Sequence, residues 1–376
     1  MRNRLSNREA LLMIHIMIGT KAQFIKMAPI MQELDRRAIR YNFIDTGQHA
    51  GITGNLLEPF GLRGPDIRLR AEKASITRLS EALRWTAEGI ARLTLGTGDI
   101  RQKVFQDEGG ICLIHGDTLT TLLSLLFAKR CSLKIAHVEA GLRSFNFVDP
   151  FPEEIIRLIT MRHSDFLFAP SDWAFDNLKK MGYEKKAVHA GGNTIIDTLR
   201  YARTKTGTGR PLPDPYAVVT IHRVENIFSK VRMERVALLI ERMARDRKVF
   251  FVLHEPTQKK LSGLGLYEKL ESMPSVELMP LQPYLTFINL LAGADFIVTD
   301  GGSIQEESYY LDIPCLVMRT RTERLEGMGE NACLAGFDGD RIAHFLNSFS
   351  AFRRRTSTFE DRHPSVTIVD HLIPYA

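Results

Sequence analysis

Short apolar runs alternate with amphipathic segments almost from end to end of this 376-residue chain, and that alternation is the pattern of parallel strands joined by crossover helices. In the first half, strands are expected at 11 to 18, Tyr41 to Asp45, Ile111 to His115, Lys134 to Val138, Asp165 to Ala169 and Lys186 to Ala190. Between them, Ile76, Leu79, Leu83, Thr86, Ile90 and Leu93 mark one face of a helix over Ala74 to Leu95. A helix from Ala22 to about Ile39 contains Pro29, which removes a backbone donor and should bend it or reset its start. From Thr204 to Pro215 the chain carries two glycines, three prolines and few apolar residues, and reads as a linker. Strand-like runs restart at Tyr216 to Ile221, Lys248 to Leu253, Ser275 to Leu278, Asp295 to Thr299 and Pro314 to Met318. The expected class is α/β with two doubly wound parallel sheets: a first domain over 1–203, a second over 204–345, and a tail over 346–376 that packs back on the first. The helix-like stretch Asp340 to Phe352 is assigned to that return.

Composition narrows the class further. With 44% hydrophobic and 25% charged residues and a mean hydropathy of −0.12, the chain is of the soluble globular kind. No stretch suits a bilayer, and the apolar run after Met1 to Ala10 is short, contains His15 and reads as a first buried strand rather than a leader. Cys112, Cys131, Cys315 and Cys333 are far apart and show no C-x-x-C spacing, so a reduced, cytoplasmic setting without zinc is expected. A net charge of +6 suits an anionic ligand such as a nucleotide. The basic residues are interspersed with acidic ones, which argues against nucleic-acid binding.

Acidic residues recur where strands should end: Asp117 in His115-Gly116-Asp117-Thr118, Glu139 in His137-Val138-Glu139-Ala140-Gly141, and Glu153 in Pro150-Phe151-Pro152-Glu153-Glu154. Strand ends of an open parallel sheet converge on one crevice, so carboxylates distant in sequence can serve one substrate there. Each has a plainer explanation. Asp117 is a good N-cap for the helix after it, Glu139 can pair with Arg143, and Glu153 and Glu154 fit a helix start after a proline. The small residues after Glu139 would also permit close approach of a ligand. Gly19-Thr20-Lys21 opens a helix and can present N–H groups and Lys21 to a phosphate, or be an ordinary tight turn. In the second half, His222, Arg223, Glu225 and Asn226 follow a strand where they can meet a pyrophosphate, or form a surface loop with an Arg–Glu pair. The run Thr299-Asp300-Gly301-Gly302-Ser303-Ile304-Gln305-Glu306-Glu307 offers a glycine turn at a helix start, with a carboxylate one turn in that can hold two ribose hydroxyls. Arg319 and Arg324 add cations close by.

Taken together, His115-Gly116-Asp117-Thr118, His137-Val138-Glu139-Ala140-Gly141-Leu142-Arg143, Phe151-Pro152-Glu153-Glu154, Gly192-Asn193-Thr194, His222-Arg223-Val224-Glu225-Asn226 and Ile304-Gln305-Glu306-Glu307 resemble the non-hydrolysing UDP-N-acetylglucosamine 2-epimerases. The resemblance runs from Gly19 to Glu326 and implies a GT-B fold. It implies Asp117, Glu139 and Glu153 as catalytic carboxylates and His222 at the diphosphate. Lys26, Ser303, Glu307 and Arg319 or Arg324 would contact the uridine nucleotide, with His115, Arg143, Asn193, Gly301 and Gly302 completing the substrate site. A homodimer, no cofactor and no metal, and a supply role for bacterial surface polysaccharide are implied as well.

The chain departs from the pattern in places. The family's Gly-Thr-Arg-Pro-Glu is here Gly19-Thr20-Lys21-Ala22-Gln23, its Asp-Ser-Gly-Gly is Asp300-Gly301-Gly302-Ser303, its Gln-His-Arg-Glu is Gln48-His49-Ala50-Gly51, and its His-Pro-Asn is His254-Glu255-Pro256. Lys21 turns a bidentate phosphate contact into a point charge. The last two changes touch part of an allosteric substrate site, and leave open activation by substrate and the identity of the sugar. A hydrolysing epimerase, a GT-B glycosyltransferase with Asp338-Gly339-Asp340 as a metal motif, and a non-catalytic nucleotide-sugar sensor are the rival readings.

Overall fold

The computed structural model describes residues 13–48, 56–70, 81, 85, 87–89, 91, 96–147, 151–205, 215–322, 324–353 and 361–375. Outside them lie Met1 to Ala10, His49-Ala50-Gly51, most of the helix expected over Ala74 to Leu95, and residues 206–214 of the expected linker. The chain divides into two compact units, Met1–Thr198 with Arg362–Ala376, and Leu199–Asp361.

The first unit is built on a seven-stranded parallel sheet of order β3-β2-β1-β4-β5-β6-β7. Its strands are β1 (Met13–Ile18), β2 (Tyr41–Asp45), β3 (Ile67–Arg68), β4 (Gly110–His115), β5 (Lys134–Val138), β6 (Phe166–Ala169) and β7 (Ala187–His189). Every residue of β1 and β2 is buried, as a parallel sheet covered on both faces requires. The Lys21–Arg36 helix carries Pro29 in its interior. Proline cannot donate to the carbonyl four residues back, and the Ile25 carbonyl so released accepts the Thr198 hydroxyl at 2.7 Å.

The second unit repeats the plan with a six-stranded parallel sheet of order β10-β9-β8-β11-β12-β13. Its strands are β8 (Tyr216–Thr220), β9 (Lys248–Leu253), β10 (Val276–Pro280), β11 (Phe296–Thr299), β12 (Cys315–Val317) and β13 (Ala332–Leu334). Both sheets reverse direction of growth between two central strands, β1 and β4 in one, β8 and β11 in the other.

Two expectations change. The helix over Asp340 to Phe352 is Gly339–Ser348, and it belongs to the second unit, where Phe345 is fully buried edge-on against Phe296 at 5.6 Å. The return to the first unit is made later, by the Pro364–Leu372 helix, whose Ile368, Val369 and Leu372 are fully buried. There Asp370 pairs with Arg37 at 2.5 Å, and the Ser365 N–H donates to Asp197 at 2.8 Å. The Asp338 side chain caps the Gly339–Ser348 helix by accepting from the Arg341 N–H at 2.9 Å, which gives Asp338-Gly339-Asp340 a structural task.

Candidate functional site

At the carboxyl ends of β4 and β5, which are neighbours in register with His115 opposite Val138, the first unit gathers its acids. Asp117 does not cap the Leu119–Arg130 helix. Thr118 does, accepting from the Thr121 N–H, and Asp117 is left to pair with Arg157. Arg157 also reaches Glu154 at 3.4 Å, and Glu154, 1% exposed, holds Arg143 Nε at 2.5 Å and the Ser144 N–H at 2.9 Å. Burial alone would raise the Glu154 carboxyl, but the Ser144 N–H and Arg143 outweigh it and hold it below the usual carboxylate range.

Arg143, the partner the sequence offered for Glu139, is thus held by Glu154. The Glu139 carboxylate is met by Lys26 Nζ at 2.7 Å, His115 Nε2 at 3.0 Å and Asn193 Nδ2 at 3.1 Å, with the side chain only 7% exposed. Lys26, expected at the nucleotide, is thus a partner of Glu139. The Glu139 backbone has φ +65°, a left-handed value that costs a non-glycine residue about 1–2 kcal/mol. Such strain at a strand end is the kind a binding site retains. The smallness of Gly141 answers to a different neighbour, since a Cβ there would lie 2.2 Å from the Ala174 carbonyl oxygen.

The turn that bears Asp117 is fixed by His137. Burial pushes that imidazole down to about 4, so it is neutral, and the Gly116 carbonyl at 2.8 Å requires the proton to sit on Nε2. Glu153 stands in the first turn of the Glu153–His163 helix, and its Oε2 is buried without a hydrogen-bond partner among the described residues. Arg157 follows it by four residues, on the same helix face. The Gly19-Thr20 turn is less open than expected, because both N–H groups donate to Gln23 Oε1 at 3.1 and 3.2 Å. Gln23 Nε2 in turn donates to the His115 carbonyl at 2.8 Å, while Lys21 is exposed.

In the second unit the organiser is Asp300, fully buried at the end of β11. It accepts the N–H groups of His222 and Arg223, each at 3.0 Å, and Asn226 Nδ2 at 2.9 Å. Asn226 also donates to the Met318 carbonyl at 3.1 Å, so the segments after β8, β11 and β12 are tied together. His222 stacks on His254 with ring centroids 4.6 Å apart. Gly301 makes room for it, as a Cβ there would sit 2.7 Å from His222 Cε1. Burial pushes His222 down with Asp300 opposing, and burial with the adjacent His222 brings His254 to about 4. Arg223, half-buried, and the exposed Glu225 form a loose pair at 4.0 Å, the plainer alternative for that loop.

The Gly302–Tyr310 helix starts at Gly301 with no side-chain cap, and Ser303 is exposed on its first turn. Glu307, 5% exposed, accepts the Tyr284 hydroxyl at 2.9 Å. Arg324 lies 3.4 Å from Glu306, and Arg319 is partly buried just past β12. Among the described residues no group of His, Cys, Asp and Glu is arranged to hold a metal ion, and no helix is long and apolar enough to cross a membrane.

The sequence model of the family described as UDP-N-acetylglucosamine 2-epimerase matches residues 32–373. The chain belongs to that family. It is 30% identical to a UDP-N-acetylglucosamine 2-epimerase of Methanococcus maripaludis, with 95% of this chain and 97% of the relative covered. To the UDP-2,3-diacetamido-2,3-dideoxy-D-glucuronate 2-epimerase of Pseudomonas aeruginosa it is 32% identical over 82% of this chain and 84% of the relative. The solved structure of the Methanocaldococcus jannaschii UDP-GlcNAc 2-epimerase in complex with UDP-GlcNAc and UDP is similar with a TM-score of 0.77, at 28% identity, covering 96% of this chain and 99% of that one. The two parallel-sheet domains are those of a GT-B fold.

Arg157 and Tyr284 were not singled out by sequence, and Asp300 and His254 entered only as members of motifs, without the partners they take here. Arg157 left a faint signal, the spacing of four from Glu153 on an evident helix, and Asp300 another, its place between a strand and a glycine turn. His254 and Tyr284 meet their partners, His222 and Glu307, across separations of more than twenty residues.

Proposed function

We propose that the protein interconverts UDP-N-acetylglucosamine and UDP-N-acetylmannosamine, or a related UDP-2-acetamido sugar, without net hydrolysis. The C2 proton of the sugar is too weakly acidic for a carboxylate to remove directly. Breaking the C1–O bond, with the bonding pair leaving on UDP, makes C1 electron-poor and acidifies C2. A carboxylate then takes the proton, and the C2–H pair becomes the C1–C2 double bond of a 2-acetamidoglucal. Protonation of C2 from the other face and return of the UDP oxygen to C1 give the epimer.

What supports this most is the acid set of the first unit: Asp117 tied to Arg157, Glu139 held by Lys26 and His115, and Glu153, in the first turn of the helix that carries Arg157, with an oxygen left over. Two-faced proton transfer needs two positioned acids, and Asp117 and Glu139 past β4 and β5 supply them, with Glu153 as a third carboxylate on the following helix. Asp117, Glu139 and Glu153 carry the protons, and Arg143 and Asn193 hold Glu154 and Glu139 in place. Burial disfavours the charged form of His222 in the free protein, and an arriving diphosphate favours its protonation and is stabilised as a leaving group. Lys21, Arg223 and the uncapped helix start at Gly301, Gly302 and Ser303 serve the phosphates, with Arg319 and Arg324 beside them. Glu307 takes the ribose, and Glu225 and Asn226 shape the loop that presents His222.

The relative from Pseudomonas aeruginosa, whose name specifies a diacetamido glucuronate, favours testing more than one sugar. The test is incubation with each UDP-sugar in deuterated water, followed by proton NMR. Deuterium at C2 of recovered UDP-sugar, with both epimers present, is the expected result. Free sugar with UDP would make the enzyme a hydrolase, and no exchange would overturn the reading.

A further inference from the structure

We infer that Tyr284 is the positioning residue for ribose recognition, acting through Glu307 and resting on the nucleotide-binding reading above. Glu307 is one turn into the Gly302–Tyr310 helix and only 5% exposed, so its carboxylate must find donors within the fold or in a ligand. Tyr284, at the first position of the Tyr284–Ala292 helix, gives its hydroxyl to Oε1 at 2.9 Å. Burial, reinforced by the negative charge of Glu307, holds the Tyr284 phenol well above its ordinary range, so it stays a donor at any working pH.

A carboxylate has about four lone-pair sites in one plane. A donor fixed to Oε1 sets the orientation of that plane and keeps both oxygens able to accept. A cis-diol presents two O–H donors at a spacing that matches the two oxygens of one carboxylate. Tyr284 thus orients Glu307 for a ribose with both its 2′ and 3′ hydroxyls, and makes the site select a ribonucleotide over its 2′-deoxy counterpart. A contact that served only to anchor the helix would cost stability on removal and would leave that selection as it was.

The experiment is calorimetric titration of the full chain with UDP and with 2′-deoxyuridine diphosphate, for the wild type, Tyr284→Phe, Glu307→Gln and the double variant. The wild type should bind UDP about tenfold more tightly than the deoxy analogue, the worth of one hydrogen bond to a charged group. Tyr284→Phe should lose most of that preference by weakening UDP alone, raising KM for the UDP-sugar with kcat within about twofold. In the Glu307→Gln background the tyrosine change should add nothing further, as expected for two residues acting as a unit. A UDP preference undiminished in Tyr284→Phe, or equal and additive losses for both nucleotides, would overturn the inference while leaving nucleotide binding intact. A wild type that ignores UDP altogether would instead overturn the functional reading beneath it. Should Tyr284→Phe not fold, Tyr284→His, which can keep a donor toward Glu307, should retain the preference for UDP that Tyr284→Leu loses, and equal preferences in those two variants, or an unchanged preference in Glu307→Gln, would overturn the inference.

Discussion

The two sheets share a strand order and a switch point, yet they spend their strand-end carboxylates differently. On the first sheet, Asp117 and Glu139 are partnered by side chains, Arg157 and the pair Lys26 and His115. On the second, Asp300 is bound chiefly by backbone N–H groups and the Asn226 amide, and is fully buried. Side-chain cations can follow a carboxylate through changes of charge and substrate; backbone donors fix a loop. The same topology thus gives one edge whose carboxylates are paired with side-chain cations and another whose carboxylate fixes a loop, the first carrying protons and the second presenting the nucleotide under the proposed function, which is why fold alone does not assign chemistry.

The sharpest way to break this contrast is to remove one acid from each edge. Asp117→Asn should lower turnover about 100-fold or more, with UDP affinity and the thermal midpoint nearly unchanged. Asp300→Asn should do the opposite, placing an amide donor against backbone donors, weakening UDP binding and costing roughly 2–3 kcal/mol in denaturant unfolding. If both variants fell in turnover alone, the contrast would be lost.

Acid should weaken both units. His15 and His137 in the first and His254 in the second have folded pKa values brought down by burial to about 4. A lowered folded value means the unfolded chain binds protons first. Their stabilising contribution is complete above about pH 6.5 and is lost as pH falls from there toward 4, by at most about 3 kcal/mol for each fully buried ring. Urea unfolding between pH 7 and 4 should show that slope, and a flat profile would contradict the neutral, proton-donating state given to His137.

The smallest effect sits at the Pro29 carbonyl gap. Thr198→Val should cost the first unit about 1 kcal/mol, and less in a Pro29→Ala background where the helix can satisfy Ile25 itself. Equal costs in both backgrounds would show that the Thr198 bond does not serve that gap.

Much of the fold was legible because the longer strands are short, largely apolar stretches set off by amphipathic helices: β2, β5 and β9 have the boundaries the sequence predicts. β3 and β13 escaped notice, since two or three residues make no periodic signal. The Asp340 to Phe352 helix was placed with the wrong unit because its apolar face says that it packs and not on what. At the site, Asp117 and Glu139 stood out by their strand-end positions and Lys26, His115 and Asn193 were named beside them, whereas Glu153 lies in the first turn of a helix and Arg157 did not stand out. Asp117 and Arg157 are forty residues apart, and the choice of Thr118 as cap over Asp117 is decided by local geometry among residues that are all good caps. Of the motifs tied to the allosteric site, residues 49–51 lie outside those described, while Gln48 accepts the Thr120 hydroxyl at 2.6 Å and His254 stacks on His222.

The division of labour is tested most directly by Glu139→Gln, followed for deuterium incorporation at C2 of the UDP-sugar and, in the same preparation, for UDP affinity by calorimetry. The account predicts exchange slowed about 100-fold or more with the UDP dissociation constant within about threefold of wild type. Exchange at the wild-type rate, or a loss of UDP binding in step with the loss of exchange, would contradict it.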